Sequence, residues 1–405
     1  METQDAIDLL AQPLDLPCGV RLKNRLIKSA MSDSLGDGAG NSTKAQIRLY
    51  ERWAEGGAAL SLIGEVQTTP HYAEKPSNLV LVPDADLAAL HELAKRGSAK
   101  GAQIWPQLGH AGALAHGPIS TPKGPSPLDV EGLKCDGMSL DEIQDLPRSY
   151  AQAAALAQEA GFGGVLIHAG HGFLFSQFLS PLFNRRTDYY GGAIDGRFRI
   201  IGEVIDAVRN AVGPAYPIGI KINSTDMLEG GLTQDEALEV VRLLDATSAD
   251  LIDVSGGTYF PGAESSSDGV SSSGPYFIDF AKRAKSITSI PIILTGGFET
   301  REQAAKAIQD GSADGISLAR AMVLNPSLAN AWLSDAGGDP EFPMFVAPPR
   351  GGVTAWYSMR LTALGEDAEN AFTMDPKAAM DAYEHRDAKR CVVWRERFSP
   401  LAKPL

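Results

Sequence analysis

A regular alternation of short β-prone apolar runs with segments of amphipathic helical spacing is the feature that most constrains the fold. Each of eight such runs is followed by a loop and a helical pattern. The predicted strands are 26–31, 58–65, 102–108, 164–168, 218–223, 251–255, 291–295 and 315–318. Eight strand and helix alternations predict an α/β protein whose parallel sheet closes into a (β/α)8 TIM barrel.

Helix start signals agree with this prediction. Helical spacing covers 140–160, 197–212, 233–246 and 301–309. Thr233 with Glu236, and Thr300 with Gln303, resemble capping boxes, in which a hydroxyl and a later side chain satisfy free backbone N–H groups. The alternative is an open doubly wound sheet. No Gly-x-Gly-x-x-Gly motif follows the first strand, which disfavours a Rossmann fold without excluding other open sheets.

Three segments extend the plain barrel. Residues 118–127 are rich in Pro, Gly and Ser, and residues 264–274 carry six serines. We expect both to be loops over the barrel mouth; for the serine segment, a mobile surface insertion is an equal alternative. From Phe345 onward, 347–353 is loop-like and 377–398 is helical in pattern. We therefore predict a barrel over 1–345 and, over 346–405, a C-terminal extension packing on it within the same domain.

Charge and cysteine usage exclude several classes of protein. Lys and Arg number 36 against 50 Asp and Glu, a net charge of −14, which argues against nucleic acid or an anionic membrane as the main partner. The three cysteines, Cys18, Cys135 and Cys391, are far apart and suggest neither a disulfide framework nor a zinc site. With no apolar membrane span and no secretory signal, we expect a cytoplasmic protein without a bound metal.

Two histidines stand at the end of the fourth predicted strand. His168 and His171 are three residues apart, and Gly172 and Phe173 follow them. In a TIM barrel the carboxyl ends of the strands form the functional mouth. Two imidazoles there can donate hydrogen bonds to one small anion or carbonyl oxygen. Packing or loop histidines are the alternative, and a metal site is weaker because no third ligand follows in a recognisable spacing.

A phosphate site is predicted after the last two strands. Gly296 and Gly297 follow the seventh strand, and Ala319 and Arg320 follow the eighth. Small residues leave backbone N–H groups open to a phosphate, and an arginine adds a bidentate charge. The alternative is a tight turn with an arginine that pairs with an acidic residue.

Two further polar residues lie within apolar strands. Lys221, in the fifth strand, requires a ligand or a carboxylate partner because burying a lone cation is costly. Gln107, at the end of the third strand, offers an amide donor and acceptor, which alone means little.

Taken together, several ordered motifs make residues 12–335 resemble the old yellow enzyme family of FMN-dependent oxidoreductases. The long, highly specific block begins with His168-Ala169-Gly170-His171-Gly172-Phe173 and continues through Tyr190-Gly191-Gly192 to Arg197. The remaining motifs are Leu22-Lys23-Asn24-Arg25-Leu26, Ser29-Ala30-Met31-Ser32, Glu51-Arg52-Trp53-Ala54-Glu55-Gly56-Gly57 and Gln107-Leu108-Gly109-His110-Ala111-Gly112.

The resemblance implies a role for each site residue. Gln107 would hydrogen-bond the pyrimidine edge of the flavin, and Lys221 would stabilise charge on the reduced ring. His168 and His171 would bind a substrate carbonyl oxygen. The residues implied to line the flavin are Ser29, Ala30, Met31, Ser32 and Val66, and those implied to hold the FMN phosphate are Gly296, Gly297, Ala319 and Arg320.

Four positions depart from the family pattern. Phe173 stands where relatives usually carry the tyrosine that protonates the substrate, and phenylalanine has no proton to give. A general acid is worth on the order of 10²–10⁴ in rate, so either another donor serves or the reaction needs none. Tyr72, Tyr259 and Tyr357 are the substitutes considered. The remaining departures, Ser32, Ala113 and Ala30, replace cysteine or threonine, arginine and proline.

Three functions follow from these residues. The resemblance implies an NAD(P)H oxidoreductase that uses FMN to pass hydride to an activated alkene, with an electron-poor small molecule as its substrate. Phe173 motivates a second hypothesis, a flavin-dependent isomerase or dehydrogenase. The third is a flavin-free, phosphate-binding lyase with Lys221 as a Schiff-base amine. Whether the chain forms a homo-oligomer is left open, as is the choice between NADH and NADPH.

Overall fold

The closed barrel predicted from the sequence is confirmed. The computed structural model describes residues 2–261, 263, 274–335 and 337–398. Within them, eight parallel strands close on themselves because the first strand pairs with both the second and the eighth, which rules out an open sheet. In chain order the strands are β1 Leu26–Met31, β2 Leu60–Gln67, β3 Gln103–Gly109, β4 Val165–Ala169, β5 Ile218–Asn223, β6 Leu251–Ser255, β7 Ile292–Thr295 and β8 Gly315–Leu318.

Helices cover the outside of the barrel. In strand order they are Lys44–Glu55, Leu87–Gly97, Leu140–Glu159, Leu174–Leu179 with Ile194–Val212, Gln234–Asp245, Ile278–Lys285, Arg301–Gln309, and Arg320–Leu324 with Leu328–Trp332. The two predicted capping boxes are present: the Thr233 and Thr300 hydroxyls accept from the backbone N–H groups of Glu236 and Gln303. The capping side chains therefore fix the first residues of these two helices at the positions that the sequence predicts.

The lower half of the barrel is filled with apolar side chains. A short antiparallel hairpin, Leu14–Asp15 with Arg21–Leu22, closes the amino-terminal end of the barrel, and the helix Thr3–Ala11 precedes it. Leu14, Leu16 and Leu22 share one buried cluster with barrel residues that include Ile27, Leu60, Leu62, Leu166, Leu251 and Ile293. Since this half is packed solid, a ligand is left only the carboxyl ends of the strands.

The insertions differ in part from prediction. Residues 118–127 are not a plain loop, because the strand Lys123–Gly124 within them pairs with Leu133–Gly137, which also pairs with Leu128–Val130. Apart from Gly274, the predicted serine-rich loop 264–274 lies outside the described residues. A further short strand, Leu79–Val80, pairs with the end of β2.

Two α-helices make up most of the described part of the C-terminal region. Pro376–Phe398 confirms the predicted helix, and Gly352–Gly365 begins inside the segment expected to be loop-like. Trp394 and Phe398 pack with Ala73 and Val80, which follow β2. The division of the chain at residue 345 stays a prediction. None of the helices in the described ranges combines the length and apolarity that a membrane span requires.

Shortening one side chain in the packed lower barrel tests this account of stability. Ile293→Ala leaves a cavity where Ile293 is fully buried, so we expect the free energy of unfolding to fall by about 2–5 kcal/mol. Val392→Ala is the control, because Val392 is 48% exposed and should change stability by less than about 0.5 kcal/mol. Denaturant unfolding followed by circular dichroism measures both; equal effects would contradict the packed-barrel account.

Candidate active site

A buried polar layer lies above the apolar half of the barrel. His168 on β4, Lys221 on β5 and Asp253 on β6 are direct neighbours in the sheet register. Lys221 Nζ lies 2.6 Å from Asp253 Oδ2, and the Thr295 hydroxyl on β7 donates to Asp253 Oδ1 at 2.7 Å. Lys221 therefore has the carboxylate partner that its burial requires.

Glu65, a residue that motif reading missed, completes the layer on the other side. Its Oε1 accepts from Gln107 Nε2 and lies near His168 Nδ1, at 2.9 Å in both cases. Glu65 has a φ of +55°, and the register between β2 and β3 shifts between Ile63 and Val66. Bulges of this kind re-aim side chains beside active sites. A carboxylate inside an apolar run was the only sequence signal.

The two histidines face each other. His168 Nε2 lies 3.0 Å from His171 Nδ1, and His171 Nε2 lies 2.9 Å from the Ser255 hydroxyl. His171 has a φ of +59°, and its backbone N–H donates to Asn223 Oδ1 at 2.9 Å. Burial lowers the pKa of His168 to about 3 and that of His171 well below its usual 6.5. Both rings are therefore neutral at physiological pH.

These side chains do not form a metal site. Across the described ranges, no group of three or more His, Cys, Asp or Glu residues is arranged to hold a metal ion.

The predicted flavin-lining residues meet on one side of the mouth. Ser29, Ala30 and Met31 end β1, Ser32 follows them, and Val66 lies on β2 beside them. Ser29 Oγ is 3.4 Å from Thr295 Oγ1, which connects this strip to the polar layer.

Two buried polar atoms face this region without a partner. Among the described residues, neither Ser32 Oγ nor Gln107 Oε1 has a hydrogen-bond partner. Because an unmet buried polar atom is costly, both atoms are available to hydrogen-bond a polar ligand.

The predicted phosphate residues also come together, since β7 and β8 are neighbours. Gly296 and Gly297 have φ values of +114° and +78°. A Cβ on Gly297 would lie 2.0 Å from the Gly274 carbonyl oxygen, so only glycine fits this turn. Arg320 lies over the Tyr357 ring, 5.8 Å from its centroid, and has no ion-pair partner within the described part of the chain.

The three tyrosines have different surroundings. The Phe173 ring lies 4.9 Å from the centroid of His168, and the Tyr259 ring lies 5.9 Å from both His171 and Phe173. Tyr72 stacks on His110 at 4.3 Å and packs against the apolar cluster that contains Phe173. Its phenol interacts electrostatically with Glu142 and Lys123. Tyr357 lies against Arg320. Tyr259 is therefore the tyrosine that faces the histidine pair.

The site suits a flavin mononucleotide. The strip at the end of β1 offers an apolar wall, and Ser32 and Gln107 offer unmet polar atoms. The glycine turn and Arg320 suit a phosphate. A closed barrel with these features at the carboxyl ends of its strands is typical of one class of protein, the FMN-binding (β/α)8 oxidoreductases.

Comparison with known proteins identifies the family. Residues 9–333 match the model of the NADH:flavin oxidoreductase / NADH oxidase family, and the chain belongs to it. The resemblance to the old yellow enzyme family is thereby confirmed, and the protein is an FMN-dependent NAD(P)H oxidoreductase. A flavin-free lyase is not favoured.

Relatives cover most of the chain. NADH-dependent flavin oxidoreductase iliE of Hypocrea jecorina is 33% identical over 349 residues, 78% of this chain and 86% of that protein. NADPH dehydrogenase of Geobacillus thermodenitrificans is 31% identical over 330 residues, 80% of this chain and 94% of that protein. A structure of morphinone reductase in complex with tetrahydroNAD has a TM-score of 0.69 and 26% identity, over 82% of this chain and 93% of that one. Other relatives are longer, and the chain spans 46% and 48% of two of them.

A substitution at Gly297 tests the predicted phosphate turn. Gly297→Ala drives a Cβ into the Gly274 carbonyl, so we expect FMN affinity to fall at least about tenfold, the equivalent of about 1.4 kcal/mol. Gly311→Ala is the matched control, since Gly311 also has a positive φ, +67°, but has nothing within 4 Å of the added Cβ. Fluorescence titration of the apoprotein with FMN compares them; equal affinities would contradict the assignment.

Proposed function

We propose that this enzyme uses NADH or NADPH to reduce an activated alkene, such as an α,β-unsaturated carbonyl compound. In the net reaction NAD(P)H and a proton are consumed, and NAD(P)⁺ and the saturated product are released. The observation that carries the proposal is the pair of neutral imidazoles at the mouth, the buried His168 and the half-buried His171. Such a pair can donate to a carbonyl oxygen whose negative charge grows during hydride addition.

The residues that would hold FMN follow from the contacts above. Ser29, Ala30, Met31, Ser32 and Val66 would line the ring, and Gln107 Oε1 would accept from its pyrimidine edge. Lys221 would place its charge beside the ring while Asp253 holds it. Gly296, Gly297, Ala319 and Arg320 would bind the phosphate. When bound, FMN supplies the hydride that it has taken from the nicotinamide.

The histidines would orient the substrate. His171 is held by the Asn223 amide and the Ser255 hydroxyl, and His168 is held by Glu65. A carbonyl oxygen that accepts a hydrogen bond from this pair would hold the substrate at the mouth, next to the residues that would line the flavin. Such positioning lowers the entropic cost of hydride transfer.

Tyr259 is the proposed proton donor in place of the tyrosine that Phe173 replaces. Its backbone N–H donates to the His171 carbonyl at 3.1 Å, which ties the loop after β6 to the histidine pair. The residue as a whole is 57% exposed. Desolvation of the phenol raises its pKa, and the negative charges of Glu74 and Glu65 raise it further. The phenol therefore stays protonated, and its proton would go to the α-carbon while solvent restores it.

Anaerobic single-turnover kinetics test the function. The holoenzyme should be reduced by NADH or NADPH, and the reduced enzyme should be reoxidised by 2-cyclohexenone or a related enone with one saturated product formed per flavin. Reduction by nicotinamide without reoxidation by any enone would contradict alkene reduction. Conversion of an enone into an isomer with no net consumption of nicotinamide would instead favour the isomerase.

Substitution of Tyr259 tests the proton donor. Tyr259→Phe removes the phenol, so we expect enone reoxidation to slow by about 10²-fold, whereas reduction by nicotinamide should be unaffected. Phe173→Tyr in that background returns a phenol beside His168 and should restore most of the rate. Tyr189→Phe is the control, because Tyr189 is 76% exposed.

The outcomes separate the candidate reactions. An unchanged rate in Tyr259→Phe would contradict its role. A dehydrogenase or isomerase that bypasses α-protonation would be as fast in Tyr259→Phe as in the wild type, and it would gain alkene reduction only with Phe173→Tyr.

The expected partner is an electron-poor small molecule, and the net charge of −14 argues against nucleic acid as the partner. We also propose a cytoplasmic location, because Cys18, Cys135 and Cys391 are free thiols, which suits a reducing compartment.

A further inference from the structure

A chain of close polar contacts runs through the site from Glu65 to Ser255. Glu65 Oε1 lies 2.9 Å from His168 Nδ1. His168 Nε2 lies 3.0 Å from His171 Nδ1, and His171 Nε2 lies 2.9 Å from Ser255 Oγ. In a neutral imidazole one nitrogen donates and the other accepts. The direction of the first contact therefore sets the direction of all the others.

The two directions present different atoms to a substrate. If Glu65 is ionised, it can only accept, so His168 carries its proton on Nδ1 and its Nε2 has a bare lone pair. If Glu65 is protonated, it donates to His168 Nδ1, and the protons of both histidines lie on Nε2. Only the second arrangement puts the ring protons on Nε2. His168 then donates to His171 Nδ1, and His171 Nε2–H, which faces the Ser255 hydroxyl, is the donor that a carbonyl oxygen can use in place of Ser255.

Gln107 provides independent support for the second arrangement. Its Nε2, an amide nitrogen that can only donate, lies 3.3 Å from His168 Nδ1 as well as 2.9 Å from Glu65 Oε1. A proton on Nδ1 would face that amide proton, whereas a lone pair on Nδ1 would accept from it.

The backbone around Glu65 is built to bring its carboxyl to this position. The residue adopts a φ of +55°, a conformation that is unfavourable for a residue with a side chain. Gly109 on β3 leaves room for it, since a Cβ there would lie 2.9 Å from Glu65 Oε2. A strained residue in a bulge beside the site indicates a functional constraint.

We propose that Glu65 is a positioning residue that acts in its protonated form, holding both histidines in the tautomer in which His171 donates to the substrate carbonyl. The inference rests on the proposed function of the site. In this role Glu65 keeps its proton and does not pass it to the substrate.

The surrounding groups determine how Glu65 titrates. Burial raises the pKa of Glu65 to about 8, against the smaller opposing effects of the Gln107 hydrogen bond and the Lys221 charge. Glu74, Tyr150 and Tyr259 also interact with it electrostatically, from the segment after β2, the helix Leu140–Glu159 and the loop after β6. Glu65 is therefore protonated below about pH 8 and loses its proton above it, together with the donating tautomer.

The pH dependence of enone reduction in the holoenzyme tests the proposal. We expect kcat/KM for 2-cyclohexenone to fall above about pH 8, by about tenfold per pH unit, because the competent fraction falls in that ratio. Glu65→Gln supplies an amide that donates to His168 at every pH. It should stay within about threefold of the wild type at pH 6.5, lose the decline, and exceed the wild type by about tenfold at pH 9.5.

Two results would overturn the proposal. A large loss of activity in Glu65→Gln at pH 6.5 would mean that the ionised carboxylate is the working form. A decline at high pH that persists in Glu65→Gln would assign the titration to another group. Glu74→Gln is the matched control, because Glu74 is also a buried carboxyl whose pKa is raised, to about 7, by burial and then by Glu65; it should keep the decline.

A readout that needs no turnover separates this inference from the proposed function. Selective ¹⁵N-histidine labelling of the holoenzyme distinguishes protonated from bare ring nitrogens at each histidine. The His168 and His171 protons should move from Nε2 to Nδ1 as the pH rises through about 8, and should remain on Nε2 in Glu65→Gln. If enones fail as substrates but the tautomers switch, only the proposed substrate is wrong; if the tautomers are independent of Glu65, the inference is wrong whatever the substrate.

Discussion

The buried ion pair between Lys221 and Asp253 is the interaction on which the site depends. It joins β5 to β6, and Thr295 extends it to β7. A lone buried lysine would be strongly destabilising, so the pair allows a cation to stand in the barrel interior. The role proposed for Lys221, a positive charge beside the flavin, depends on this pair.

The rest of the barrel directs ligands to this layer. The apolar side chains of the lower half and the N-terminal hairpin close one end of the barrel. The other end carries the polar strand ends, with the glycine turn on β7 and Arg320 after β8. Apolar packing at one end thus stabilises the barrel, and the polar residues at the other end form the site, as is general for this fold. The C-terminal helix Gly352–Gly365 reaches the same end, since its Tyr357 lies against Arg320.

Much of the fold and part of the site could be predicted because they depend on local pattern. The periodicity of apolar residues predicts each barrel strand to within a few residues, and two capping boxes mark helix starts. Glu65 could not be predicted, since its role depends on a bulge between β2 and β3 and on a backbone conformation that no motif encodes. Ser255 and Asp253 were missed because their partners are contributed by other strands.

The sequence by itself determined the alternation of strands and helices, the paired histidines and the glycine turn, because each is a property of residue type and spacing. The loss of a tyrosine at Phe173 follows from the resemblance to the old yellow enzyme family. Only the tertiary structure decided which tyrosine faces the histidines and which carboxylate contacts each cation and imidazole. Those choices depend on distances between residues far apart in the chain, such as Tyr259 and Phe173 or Glu65 and His168. The closure of the barrel, through the pairing of β1 with β8, sets those distances.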